Sequence, residues 1–132
     1  MNPPSEGVIG VGVDAIEIAR VERAVERTPA LLERVWTVAE RARCTSTCGD
    51  LRLGGLAARF AAKEAVAKAL GTGVAGFAFR DVEVVNTPEG QPQVRLHGGA
   101  AARAAELGVG EVHLSLSTTG ELAVAYAVAT VA

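Results

Sequence analysis

The chain has 132 residues, of which 49% are hydrophobic and 21% charged, with a formal net charge of −2. That is the length and composition of one globular domain able to bury its own core, and the absence of a basic excess argues against a nucleic-acid partner. Two cysteines, Cys44 and Cys48, are too few for a disulfide framework and lack the neighbours of a zinc site, so they read as reduced thiols. No apolar run reaches spanning length and no signal-peptide pattern is visible, so the expectation is a soluble, cytoplasmic protein without a membrane partner.

Residues 1–6 contain Pro and Ser and are expected to form a flexible N-terminus. Gly7 to Val13 (GVIGVGV) is a β-branched, Gly-interrupted run that predicts a short buried strand. Ala15 to Arg27 has helical periodicity, with Ile18, Val21 and Val25 on one stripe, and Thr28-Pro29 ends it. A second helical stretch is expected from about Leu31 to Arg43, then a loop from Cys44 to Asp50. The strongest helix runs from Leu53 to Leu70, with Leu56, Phe60, Ala67 and Leu70 on one side and Gly71 suited to its C-terminal cap.

The second half changes period. Arg80 to Asn86 alternates, turns at Pro88-Glu89-Gly90 and returns as Gln93 to His97, a hairpin signal. Ala100 to Leu107 is a short alanine-rich helix closed by Gly108. Val112 to Ser117 alternates, Thr119-Gly120 turns the chain, and Leu122 to Val131 forms a last strand, whose Leu122, Val124 and Tyr126 suit either a core or an interface. The order β-α-α-α-β-β-α-β-β, with no repeat or linker, predicts a single α+β domain over residues 7–132, helices packed on a largely antiparallel sheet.

The helix from Leu53 holds most of the candidate chemistry. Arg59 with Lys63, and Glu64 with Lys68, are two i,i+4 pairs, and Gly71-Thr72-Gly73 follows. Lysines on a helix are ordinarily a solvated face. Here the cations could instead neutralise phosphates, with the glycines letting backbone N–H groups approach. The order is helix then glycines, so this is not a Walker A loop. Asp14, at a strand-to-helix junction, is either an N-cap or a metal ligand. A hard cation such as Mg²⁺ needs more than one carboxylate, and Glu64 is the natural second. Arg20, Arg23 and Arg27, spaced i, i+3, i+7, share a face that is either paired with Glu22 and Glu26 or open to an acidic partner.

Together, Gly12-Val13-Asp14 with Glu17-Ile18-Ala19-Arg20, the block Phe60 to Gly73 (FAAKEAVAKALGTG), and Val112 to Ser117 (VHLSLS) resemble the holo-[acyl-carrier-protein] synthases. These are the small, single-domain 4′-phosphopantetheinyl transferases. The match runs from about Gly7 to Val128, and Trp36-Thr37 with Glu40 resembles the family's F-T-x-x-E element.

The resemblance implies transfer of 4′-phosphopantetheine from coenzyme A to a serine of apo-acyl carrier protein, by default in fatty-acid synthesis, with release of adenosine 3′,5′-bisphosphate. It also implies Mg²⁺ on Asp14 and Glu64 and phosphates near Arg59, Lys63, Lys68 and the Gly71–Gly73 turn. Arg20, with Arg23 and Arg27, would grip the carrier protein. Catalysis would rest on Glu64, through a water that it or the metal orients, and on Lys68 at the bridging or leaving oxygen. Members typically form homotrimers with active sites at subunit interfaces.

One position departs from the pattern. The family's S-x-S-H element is Ser115-Leu116-Ser117-Thr118 here, so a hydroxyl stands where a histidine would reach the phosphates. An uncompensated loss of that contact would cost about 1.5–3 kcal/mol. The alternative function is therefore a weakened family member that binds carrier protein or coenzyme A as an accessory module. A third reading is an unrelated Mg²⁺-dependent phosphohydrolase.

Overall fold

The computed structural model describes residues 7–132, so the tail expected over residues 1–6 lies outside the described residues. Strand β1 (Val8–Glu17) is followed by helices α1 (Ile18–Arg27), α2 (Leu31–Val35), α3 (Val38–Arg43) and the long α4 (Leu53–Ala69). Two short 3₁₀ turns, Gly73–Gly76 and Phe79–Asp81, lead to the hairpin of β2 (Val82–Asn86) and β3 (Pro92–Leu96). Helix α5 (Gly98–Leu107) and strands β4 (Val109–Thr118) and β5 (Leu122–Val131) complete the chain. The sheets are β1-β5-β4 and β2-β3, antiparallel throughout, which agrees with the expected α+β class. Among the described residues no helix is long and apolar enough to cross a membrane.

Helix α4 is the centre. Ala57, Ala61, Ala62, Ala65 and Ala67 are fully buried, as are Ala123, Ala125, Ala127 and Ala129 of β5. With methyl groups on both surfaces, helix and sheet approach closely. On β1 the approach is closer still: a Cβ on Gly12 would drive into the Ala65 carbonyl and come 2.9 Å from the Ala69 nitrogen, and one on Gly10 would meet the Ala69 carbonyl. Glycine is required there by the helix backbone, not by dihedral freedom. At the far end of α4, Gly71 (φ +76°) closes the helix. Its N–H donates to Lys68 O at 3.0 Å and that of Thr72 to Ala67 O at 3.2 Å, the paired bonds of a Schellman cap.

Two boundaries differ from expectation, and one open choice of face is resolved. Strand β1 does not stop before Asp14; its ladder with β5 continues to Glu17↔Leu122, so helix α1 begins at Ile18 rather than Ala15. Continuous backbone pairing with a ten-residue partner outweighs the local helical period. Asp14 is therefore a strand residue, paired with Ala125, and not an N-cap. The helix expected over residues 31–43 is broken at Trp36-Thr37. There the Thr37 hydroxyl accepts from Glu40 N and the Glu40 carboxylate from Thr37 N, a capping box that starts a new helix. Finally, Leu122 and Tyr126 lie on the outer, exposed face of the sheet, while the alternate alanines of β5 are its core face. Cys44 is buried and Cys48 exposed, both unpaired.

Gly12→Ala should cost about 3 kcal/mol, at the upper end of overpacking, and lower Tm by roughly 10 °C, whereas Gly7→Ala, with no atom in reach of its new methyl, should leave Tm unchanged in a thermal melt.

Candidate active site

The Gly12 contact sets the next helix-facing residue of β1, Asp14, against the C-terminal half of α4. Residues Glu64, Lys68 and Gly71 are spaced i, i+4, i+7 and so form one strip of that helix. The Lys68 ammonium donates to Val13 O at 2.9 Å and approaches Asp14 Oδ1 at 3.4 Å. Glu64 stands one turn before it. Its carboxyl is pushed above the usual range first by burial and then by the negative charge of Asp14, with Lys68 opposing. Two carboxylates from distant parts of the chain thus share one neighbourhood, with one ammonium beside them.

These groups edge a cleft of about 470 Å³. Asp14, Glu64 and Arg20 supply its charged residues, while Trp36, Phe60 and Phe79 form much of an apolar wall. Phe60 and Phe79 stack with ring centroids 5.4 Å apart, and the Trp36 indole N–H donates to Leu56 O at 3.0 Å. Arg20, Arg23 and Arg27 are exposed along α1, and among the described residues none is in an ion pair. The Glu22 and Glu26 pairing therefore does not form, and only Arg20 reaches the cleft.

The other expected phosphate ligands are elsewhere. Successive residues of a helix are about 100° apart, so Arg59 lies about 140° around α4 from Glu64. Arg59 is buried, donating to Gly55 O at 3.1 Å and Asn86 Oδ1 at 2.8 Å, with its Nε unpartnered. Lys63 is fully buried in an ion pair with Glu40 at 2.8 Å, and it also donates to the carbonyls of Phe79 and Val82. An ammonium has three donors, and all are engaged inside the protein. This corrects the expectation of a phosphate-facing Lys63: the i,i+4 pattern cannot tell which track of a nearly all-buried helix meets solvent. Thr118 ends β4, two strands from β1. At the usual strand spacing it is about 10 Å across the sheet from Asp14. Gly71 and Gly73 (φ +58°) lie beyond Lys68, outside the cleft wall.

Sequence reasoning missed the aromatic wall and Arg103, whose Nε donates to Leu70 O at 3.2 Å beside the glycine turn. Phe60 was visible only as an apolar helix position, and Phe79 carried no signal, since only folding brings its turn onto α4.

The sequence pattern of the 4′-phosphopantetheinyl transferase superfamily matches residues 10–128. The chain belongs to that superfamily. It is 48% identical over 127 residues to the holo-[acyl-carrier-protein] synthase of Methylobacterium radiotolerans, covering 92% of each chain. Its fold is similar to the crystal structure of the Neisseria meningitidis synthase (TM-score 0.82, 30% identity, 92% of this chain and 98% of that one). It is also similar to the Bacillus anthracis synthase in complex with CoA (3′,5′-ADP) (TM-score 0.76, 32% identity, 96% and 99%). The chain is thus an enzyme of the holo-[acyl-carrier-protein] synthase type, and its Asp14–Glu64–Lys68 group lies in the part of the sequence that the superfamily shares.

The raised Glu64 carboxyl sets a pH dependence. Because the folded form holds its proton more tightly than the unfolded chain, stability is highest below the ordinary glutamate range and falls as pH rises through the raised value. Glu64→Gln should therefore melt higher than the parent at pH 7, by no more than about 1 kcal/mol for so solvent-screened a pair, and the two curves should converge below pH ~4.

Proposed function

We propose that this chain transfers the 4′-phosphopantetheine group of coenzyme A to a serine of an apo-acyl carrier protein, releasing adenosine 3′,5′-bisphosphate. The observation that carries this reading is the meeting of Asp14 and Glu64 at the charged end of a largely apolar cleft, with Lys68 beside Asp14. A pyrophosphate needs the first, and the neutral pantetheine arm suits the second.

Asp14 and Glu64 fit a small divalent cation, Mg²⁺. Their mutual repulsion favours one, and among the described residues no cluster of three or more ligating side chains exists. Two carboxylates suit an ion that keeps waters and takes its remaining ligands from substrate phosphates. When bound, Mg²⁺ would neutralise charge on the pyrophosphate. Phosphoryl transfer depends chiefly on position and charge. The serine oxygen attacks the phosphorus on the pantetheine side, its proton passes to a water that Glu64 orients, and the bond to the nucleotide's phosphate oxygen breaks. Lys68 stabilises that leaving oxygen.

Arg20, Arg23 and Arg27 form the docking stripe for the acidic carrier protein. Charge of that sign steers encounter even on a chain of slightly negative net charge. Fatty-acid synthesis is the default pathway, and the chain then works in the cytoplasm with its two substrates.

We also infer a homotrimer with active sites between subunits. Val11, Val13 and Tyr126 are 54%, 49% and 49% exposed on the outer face of the β1-β5-β4 sheet, an apolar surface of the kind that association covers. Thr118 is exposed and lies away from the cleft within one subunit, so a ligand lying across two subunits would meet it. Tyr126→Glu should convert the assembly to monomers in light scattering and reduce activity with it, while an unchanged mass would remove this inference.

The deciding assay incubates the protein with coenzyme A, Mg²⁺ and apo-carrier protein and weighs the carrier. The expected result is a gain of the phosphopantetheine mass, no gain with Glu64→Gln despite normal folding, and with Arg20→Glu a KM for carrier protein raised about tenfold at unchanged KM for coenzyme A. Binding without mass gain would support an accessory module, for which Thr118 is the one motivating residue. Cleavage of coenzyme A without transfer would support a phosphohydrolase.

A further inference from the structure

Lys63 directly precedes Glu64, yet it is one of the largest fully buried side chains of the molecule. Its ammonium joins three separate elements to α4. It pairs with Glu40 of α3, and it donates to Phe79 O in the 3₁₀ turn and to Val82 O at the start of β2. Glu40 extends the connection, because its carboxylate also accepts from Thr37 N at 2.9 Å and from Val84 N at 3.0 Å. The Thr37 hydroxyl in turn donates to Glu83 Oε2 at 2.6 Å. Two of the segments so tied carry the cleft's apolar wall. Trp36 precedes Thr37, Phe79 supplies both a carbonyl to Lys63 and a ring to the wall, and Phe60 stacks on that ring from α4 itself.

We propose that Lys63 is a positioning residue: its buried ion pair with Glu40 holds the Trp36–Phe60–Phe79 wall in the shape that receives the pantetheine arm. The ammonium and the carboxylate are both fully buried and 2.8 Å apart, so neither charge is matched without the other. Apolar packing alone would leave the 3₁₀ turn and the α2–α3 break free to slide on α4. Hydrogen bonds of fixed direction set their register. The consequence for coenzyme A rests on the transfer reaction proposed above, whereas the consequence for the wall does not.

Removing one partner strands a buried charge, so the test replaces both, as Glu40→Leu with Lys63→Met. Two ligands are titrated by calorimetry: coenzyme A, and ADP with Mg²⁺, which has a pyrophosphate and no pantetheine arm. The variant should melt cooperatively and bind coenzyme A about tenfold or more weaker, while its Kd for Mg²⁺–ADP moves less than about twofold. Equal weakening of both would make Lys63 a phosphate ligand and overturn the proposal, and so would no change in either. Should the double variant not fold, Glu40→Gln with Lys63→Gln, which removes both charges and keeps polar groups at both positions, is read in the same titrations with the same expectation. The fluorescence of Trp36, the chain's single tryptophan, is read without ligand. Its emission should shift to the red and become more accessible to a quencher in either variant, and an unchanged spectrum would overturn the positioning role. If the parent protein binds neither ligand, the transferase reading fails, and the Trp36 spectrum still decides whether the ion pair holds the wall.

Discussion

The backbone of β1 lies against the backbone of α4. Gly10 and Gly12 leave no Cβ between them and the carbonyls of Ala69 and Ala65, and much of the site's geometry follows from that contact. A side chain at either glycine would push the strand outward, and Asp14 with it. The Glu64 carboxyl is raised first by burial and then by the charge of Asp14, and the second contribution falls off with distance. The alanine face of β5 serves the same end, since larger residues at 125 or 127 would lift the sheet off the helix.

Helix α4 has two functional tracks separated by a wide angle. One, Glu64–Lys68–Gly71, starts at the cleft with Glu64 and runs out to solvent through Lys68 and Gly71. The other, Arg59–Lys63, faces inward, where its charges are met by Asn86, Glu40 and main-chain carbonyls. A buried charge must be matched or neutralised, which explains why Glu40 is as completely buried as Lys63. The capping box at Thr37 has the same cause, because the carboxylate that starts α3 is the one that pairs with the lysine.

The divided character of the cleft follows from these two tracks. Its charged end comes from β1 and the outer track of α4. Its apolar wall comes from segments that the inner track gathers: the α2–α3 break and the 3₁₀ turn before β2. A ligand with a charged middle and a neutral arm is the one proposed for such a surface, and the exposed arginines of α1 form a basic stripe that meets its edge at Arg20. The outer face of the sheet, with Val13 and Tyr126 directly opposite each other in the ladder, is a separate apolar surface on the other side of β1 from Asp14.

By itself the sequence determined the order of the strands, the hairpin at Pro88–Gly90, the glycine stop of α4 and the motif block from Phe60 to Gly73. These are local properties of period, turn chemistry and spacing, legible without neighbours. It also marked Asp14 and Glu64 as a candidate pair, although nothing local could bring them together. Only the tertiary structure decided that β1 continues through Asp14, because that depends on a ladder with a strand more than a hundred residues later in the chain. Only it decided which lysine of the block stands beside Asp14 in solvent and which is enclosed. On a helix buried on nearly every side, the chemistry of a lysine is set by the acceptors that other elements bring to it, and Glu40, Phe79 and Val82 come from outside the helix.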